Sequence, residues 1–165
     1  MKKIEIKSFF EEYESANELS SEEKNLVEQA LAAAENAYAP YSEFKVGAAV
    51  LLENGKIVCG NNQENIAFPS GLCAERVAIF SASAQYPNVR IKSISVVCSS
   101  EKIKIDKPLS PCGACRQAMA EYEMKFSKNI RVILSRQKGN VLVAESVKSL
   151  LPLLFYFEGL SKKQI

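Results

Sequence analysis

"CAERVAIFSASAQYPNVRIKSISVVCSS", residues 73–100, decides how this chain folds. From Cys73 to about Ala84 the small and apolar residues recur at helical spacing, and from Val89 onward a β-branched run reads as a strand. The same alternation continues outward on both sides. A second helix follows "PCGA", from about Ala114 to Phe126, because Ala118, Met119, Tyr122 and Phe126 share a face; "NIRVILS" and "NVLVAES" then read as strands flanking the turn "QKGN", and "SVKSLLP" as a short final helix. Upstream, "FKVGAAVLLENGKIVCGN" reads as two strands around Asn54-Gly55, a strong hairpin signal. "SSEEKNLVEQALAAAENAYA" is a helix with Val27, Ala30, Leu31, Ala34 and Ala37 on its buried face, opened by a capping box of Ser20 and Glu23. "KIEIKSF", residues 3–9, alternates like a short strand. The order predicts an α/β fold with parallel central strands, and both clusters of cysteines fall at helix starts, where ligands of open α/β sheets bind.

The composition fits one domain. The chain has 165 residues, 47% of them hydrophobic, enough to bury a core without disulfides. Its 21 Lys and Arg and 19 Asp and Glu leave a formal charge of +2, with the basic residues scattered, so no electrostatic footprint for nucleic acid or an anionic membrane is expected. "MKKIEIKSFFEEYES" lacks the apolar region of a signal peptide, and no stretch approaches the ~20 residues of a membrane span. A cytoplasmic protein is expected.

Five cysteines, an odd number, stand at 59, 73, 98, 112 and 115, and there is no histidine. Paired disulfides do not suit that pattern. Cys112 and Cys115 form a CxxC at a helix start, which alone fits a metal grip, a redox pair or two small core residues. With Cys73 there are three thiolates, enough for a catalytic zinc whose fourth tetrahedral position is left to water. Cys59 and Cys98 lie inside strand patterns and read as core residues; either one as a fourth ligand would make the zinc structural. Glu75, two residues past Cys73, can reach the open position as a proton carrier without being a ligand; its plainer role is a helix-start glutamate favoured by the macrodipole. Three thiolates and Zn²⁺ sum to −1. A helix N-terminus at each cluster and the Arg76 guanidinium on a thiolate would draw off some of that charge, unless Arg76 is a solvated surface residue.

"CAE" followed by "PCGACRQ" is the cysteine form of the zinc deaminase signature. With "APYSEFKVGAAV" and "NNQENIAFPSGLCAER" beside it, the chain resembles the small homotetrameric cytidine deaminases, from about Ser20 to Leu160. That resemblance implies a three-layer α/β/α sandwich around a five-stranded mixed sheet, with residues 1–19 as an extension and 20–165 as one catalytic domain. It implies one Zn²⁺ per chain on Cys73, Cys112 and Cys115. Glu75 would protonate N3 of the pyrimidine while hydroxide attacks C4, releasing ammonia and uridine. Asn62 and Glu64 match the pair that binds the ribose 3′-hydroxyl, Phe44 the aromatic near ribose and base, and Phe155 a phenylalanine that stacks on the base held by a neighbouring subunit. By residue type alone, Asn62 and Glu64 also fit a plain turn, and Phe44 a plain core position.

Two departures bear on substrate. Phe68 stands where many members carry tyrosine, and "LLPLLFYFEGL", residues 150–160, loosely resembles the ending of the blasticidin deaminases. Free cytidine and 2′-deoxycytidine are the expected substrates, with another cytosine-bearing compound such as blasticidin S as the alternative. Deaminases of RNA or DNA typically use a histidine ligand, which this chain lacks.

Overall fold

In a computed structural model, which describes residues 1–100 and 102–156, alternate residues of the central strands face two separate cores. Ala48, Val50, Leu52, Ile94, Val96, Val132 and Leu134 point to one side; Ala49, Leu51, Val97 and Ile133 point to the other. That period of two is what a strand covered on both faces produces.

The strands are β1 (Glu11–Tyr13), β2 (Lys45–Leu52), β3 (Ile57–Asn61), β4 (Ile91–Ser99), β5 (Arg131–Arg136) and β6 (Val141–Ala144). The helices are α1 (Ser21–Glu35), α2 (Ala74–Gln85) and α3 (Gly113–Phe126). In the sheet the order is β1-β6-β5-β4-β2-β3, with α1 against one face and α2 and α3 against the other. The expected sandwich is therefore present. Its sheet has six strands, not the five implied by resemblance, and among the described residues only the β4–β5 pairing is parallel.

The sixth strand comes from the N-terminal extension, although not from residues 3–9, which are exposed and outside any strand. A strand needs a partner edge, and the edge of β6 is taken by Glu11–Tyr13 instead. Charge fixes that choice: Arg131 pairs with Glu11, Glu23 and Glu145 at 2.5, 2.7 and 2.7 Å, and Asn140 donates to Glu12 at 2.7 Å. The capping box at α1 forms, with the Glu23 amide donating to Ser20 Oγ at 3.3 Å and the Ser20 amide to Glu23 Oε2 at 3.2 Å. At the hairpin Gly55 takes φ +80°, as a tight turn between twisted strands requires. "SVKSLLP" yields a single 3₁₀ turn, Val147–Ser149.

Two glycines let the helices lie directly on the sheet. A Cβ on Gly47 would fall 1.9 Å from the Ala30 carbonyl oxygen of α1, and one on Gly60 would fall 2.5 Å from the Ala78 nitrogen of α2. The backbone of β3 thus sets the height of α2. Because β3 and β4 each run antiparallel to β2, they point the same way. The segments leaving their ends lead into α2 and α3, so both helices begin at one end of the sheet.

Candidate active site

Cys73 is the N-cap of α2, Cys112 the N-cap of α3, and Cys115 lies in the first turn of α3. Neither N-cap cysteine spends its side chain on capping, which leaves the sulfurs to face one another. Cys73 Sγ and Cys112 Sγ are 3.8 Å apart, and all three sulfurs lie within 4.8 Å of one another. Zinc–sulfur bonds of about 2.3 Å at the tetrahedral angle put sulfurs about 3.8 Å apart, so the set fits zinc. Neither Cys59 nor Cys98 joins the group. Cys98 is buried as expected, but Cys59 is exposed, because it sits on edge strand β3 with its sulfur toward the Gln29 carbonyl at the rim of α1.

Charge is shared unevenly among the thiols. The hydrogen bond with Cys115 lowers Cys73 to about 5, with help from Arg76, whose Nη2 lies 3.9 Å from its sulfur. The same bond, together with burial, pushes Cys115 up. Arg76 therefore faces the cluster rather than open solvent. Glu75 is only 4% exposed, and burial raises its carboxyl above the ordinary glutamate value, the nearby Cys73 charge adding to the effect.

These groups open onto a cleft of about 760 Å³, lined among others by Phe44, Asn62, Glu64, Cys112, Glu75 and Arg76. Asn62 is bound on both ends of its amide: Oδ1 accepts from the Val46 amide at 2.8 Å, and Nδ2 donates to the Phe44 carbonyl at 2.9 Å. Glu64 accepts from the amides of Tyr41 at 2.8 Å and Ser42 at 3.2 Å, and from the Ser42 hydroxyl; these bonds, the hydroxyl's first, hold its carboxyl below the usual range. Both residues thus fasten the rim at residues 41–46, which contains Glu43 in the left-handed region at φ 53°. That conformation costs a non-glycine residue about 1 kcal/mol, so the turn needs its fastening. Phe68 meets Tyr41 edge to face at 6.0 Å on the same rim.

Phe155 is not brought to this cleft. The residue is 73% exposed, while its amide and carbonyl are both held by Gln117. Sequence reasoning singled out neither Gln117, Arg116 nor Ser42. Arg116 and Gln117 stand inside "PCGACRQ", but most of their partners are backbone groups, those of Leu150 and Phe155 far along the chain, which leave no residue pattern to read.

A three-thiolate grip reached by a cleft and flanked by a buried carboxylate belongs to the zinc-dependent hydrolases, built here on an α/β/α sandwich. Residues 20–128 match the family described as cytidine and deoxycytidylate deaminase zinc-binding region, and the chain belongs to that family. It is 42% identical to the cytidine deaminase of Sporosarcina psychrophila over 84% of this chain and 94% of that one. With the cytidine deaminase of Halalkalibacterium halodurans the identity is 37%, over 82% and 96%. A crystal structure of cytidine deaminase from Burkholderia pseudomallei superposes with a TM-score of 0.69 at 42% identity, covering 79% of this chain and 97% of that one.

Proposed function

We propose that this protein hydrolyses cytidine and 2′-deoxycytidine to uridine and 2′-deoxyuridine with release of ammonia, in pyrimidine salvage, and that residues 20–165 form its catalytic domain. Residues 101 and 157–165 of that span lie outside the described residues. The observation that carries the reading is the convergence of the Cys73, Cys112 and Cys115 sulfurs beside buried Glu75 in one cleft. The named relatives are cytidine deaminases, which favours the nucleoside over an antibiotic substrate.

Cys73, Cys112 and Cys115 would hold the zinc. When bound, zinc supplies Lewis acidity that makes water a nucleophile near neutral pH. Glu75 takes one proton from the attacking water and hands it to N3 of the ring as oxygen bonds to C4; it then carries the remaining hydroxyl proton to the amino nitrogen, the C4–N bond breaks, and ammonia leaves as the C4 carbonyl forms. Its raised pKa suits this shuttle, since a carboxyl that both accepts and gives a proton works best close to the operating pH. Arg76 moderates the thiolate charge. Asn62 and Glu64 read the ribose hydroxyl with their remaining hydrogen-bonding capacity, and Phe44 packs on the nucleoside. Among the described residues Arg76 is the only cation lining the cleft, and Cys73 already engages it, which favours a free nucleoside over a nucleotide carrying a 5′-phosphate.

Phe155, exposed and outside its own cleft, supports an assembly in which it serves a neighbouring copy; a homotetramer is proposed. A stable, active monomer on sizing chromatography would rule that out. Among the described residues no helix is long and apolar enough to cross a membrane. The activity is tested by following ammonia release from cytidine. The purified protein should hold about one zinc per chain, and Glu75→Ala should abolish turnover with zinc retained. Full activity in metal-free protein would sink the proposal.

A further inference from the structure

Cys112 ends the long connection between β4 and α3, in which residues 102–112 form no helix or strand. A ligand at the end of such a loop has to be held in place before a metal binds, because loose support costs affinity directly. Among the described residues the support is Arg116. Its Nε donates to the Pro111 carbonyl at 2.7 Å, the residue just before Cys112; its Nη2 donates to Ser110 Oγ at 3.1 Å; and its Nη1 donates to the Leu150 carbonyl at 2.9 Å. The next residue continues outward. Gln117 Nε2 donates to the Phe155 carbonyl at 2.9 Å and its Oε1 accepts from the Phe155 amide at 3.0 Å.

A cation in the first turn of a helix opposes the macrodipole, so Arg116 needs a structural reason to be there. No carboxylate among the described residues pairs with it. All of its hydrogen bonds go to neutral oxygens, on two segments of chain that would otherwise not be joined at this point. The planar fork of a guanidinium can hold three oxygens in different directions, which a lysine ammonium on its flexible stem does not reproduce.

We infer that Arg116 and Gln117 are positioning residues that make the C-terminal segment 150–155 a brace for the metal-binding turn, fixing Ser110 to Cys112 against α3 so that the three sulfurs are preset for zinc. The inference rests on zinc as the metal held by those sulfurs and is independent of the substrate.

The experiment mixes zinc-loaded full-length protein with an excess of the chromophoric chelator 4-(2-pyridylazo)resorcinol and follows zinc release, well below the melting temperature of every variant. Arg116→Lys should release zinc at least about tenfold faster than the parent, the lower end of what loss of a ligand-orienting contact costs in metal affinity. Gln117→Leu should release it faster than the parent by a smaller factor. Glu123→Gln is the control, since it loosens the other end of α3 without touching residues 110–112. Parent-like release from Arg116→Lys overturns the inference, and so does release from Glu123→Gln as fast as from Arg116→Lys, since general loosening would then account for it. Should Arg116→Lys fail to fold, Gln117→Leu takes its place under the same comparison. Altered zinc release in a protein inactive on cytidine would uphold the brace while refuting the proposed substrate.

Discussion

Helices α2 and α3 each begin on a cysteine N-cap and carry an arginine one turn later, Arg76 and Arg116. The arginines face opposite ways. Arg76 turns toward the sulfur of Cys73, whereas Arg116 turns away from the cluster to three backbone and hydroxyl oxygens. The supports differ as well: α2 rests directly on the sheet through Gly60, while α3 is held by side chains, Arg116 and Gln117 at its start and Glu123 near its end. One cysteine turn is thus placed by close backbone packing, and the other by polar contacts reaching across the chain. A helix start that the sheet already positions leaves its arginine available for the cysteine cluster; one that follows a long loop needs its arginine to hold the loop.

Breaking the packed side should have the largest effect. Gly60→Ala puts a Cβ 2.5 Å from the Ala78 nitrogen and 2.9 Å from the Ala74 carbonyl oxygen. Backbone atoms cannot yield locally, so the variant should lose about 3 kcal/mol, the upper end of ordinary overpacking, with the shift of α2 reducing activity too. Urea denaturation and the deamination assay measure both. An unchanged denaturation midpoint would show that α2 is not pressed on β3.

On the polar side, Glu123 is 3% exposed and accepts from the Ile130 amide at 2.8 Å, the Val147 amide at 2.9 Å and the Ser146 hydroxyl at 2.7 Å. Glu123→Gln turns one acceptor end into a donor and leaves a buried partner unsatisfied. Denaturation should report a loss of about 2 kcal/mol.

The smallest effect is expected away from both helix starts, at Arg131. Replacing it with Ala should cost about 1 kcal/mol at neutral pH, because its partners are partly solvated. The pH dependence gives the sign. The bond to Arg131 holds Glu11 below its usual value of 4.5; Glu23 also ends below it, since the Ser20 and Arg131 bonds outweigh its burial. Their contribution is therefore complete above about pH 4.5 and disappears as pH falls through the lowered values. The gap between parent and Arg131→Ala should close over that acid range in thermal melts; a constant gap would mean the arginine acts by packing alone.

Period and spacing made much of this molecule legible. The 3.6-residue rhythm of α1, the Asn54-Gly55 turn and the β-branched run of β4 are local signals, and all three elements are present, although α1 ends at Glu35, which leaves Ala37 beyond the helix and only half-buried. Cys73, Cys112 and Cys115 were legible because helix starts in an α/β alternation gather at one end of a sheet. The contribution of the N-terminal extension was not, since residues 3–9 alternate more regularly than 11–13 yet only the latter meet the partners Arg131 and Asn140. Cys59 misled for a related reason: alternation tells which residues share a face, not whether that strand lies at an edge.

The chain's own residue types and spacings determined the α/β order, the three sulfur donors and the carboxylate two positions from the first of them. Tertiary structure alone decided that Asn62 and Glu64 fasten the rim they line, that Phe155 lies outside its own cleft, and that Arg76 and Arg116 take opposite tasks. Apart from the Arg76 contact with the Cys73 sulfur, those outcomes rest mainly on hydrogen bonds to backbone groups. Every residue except proline carries the same backbone donor and acceptor, so no side-chain pattern records which of them a given arginine, amide or carboxylate will find.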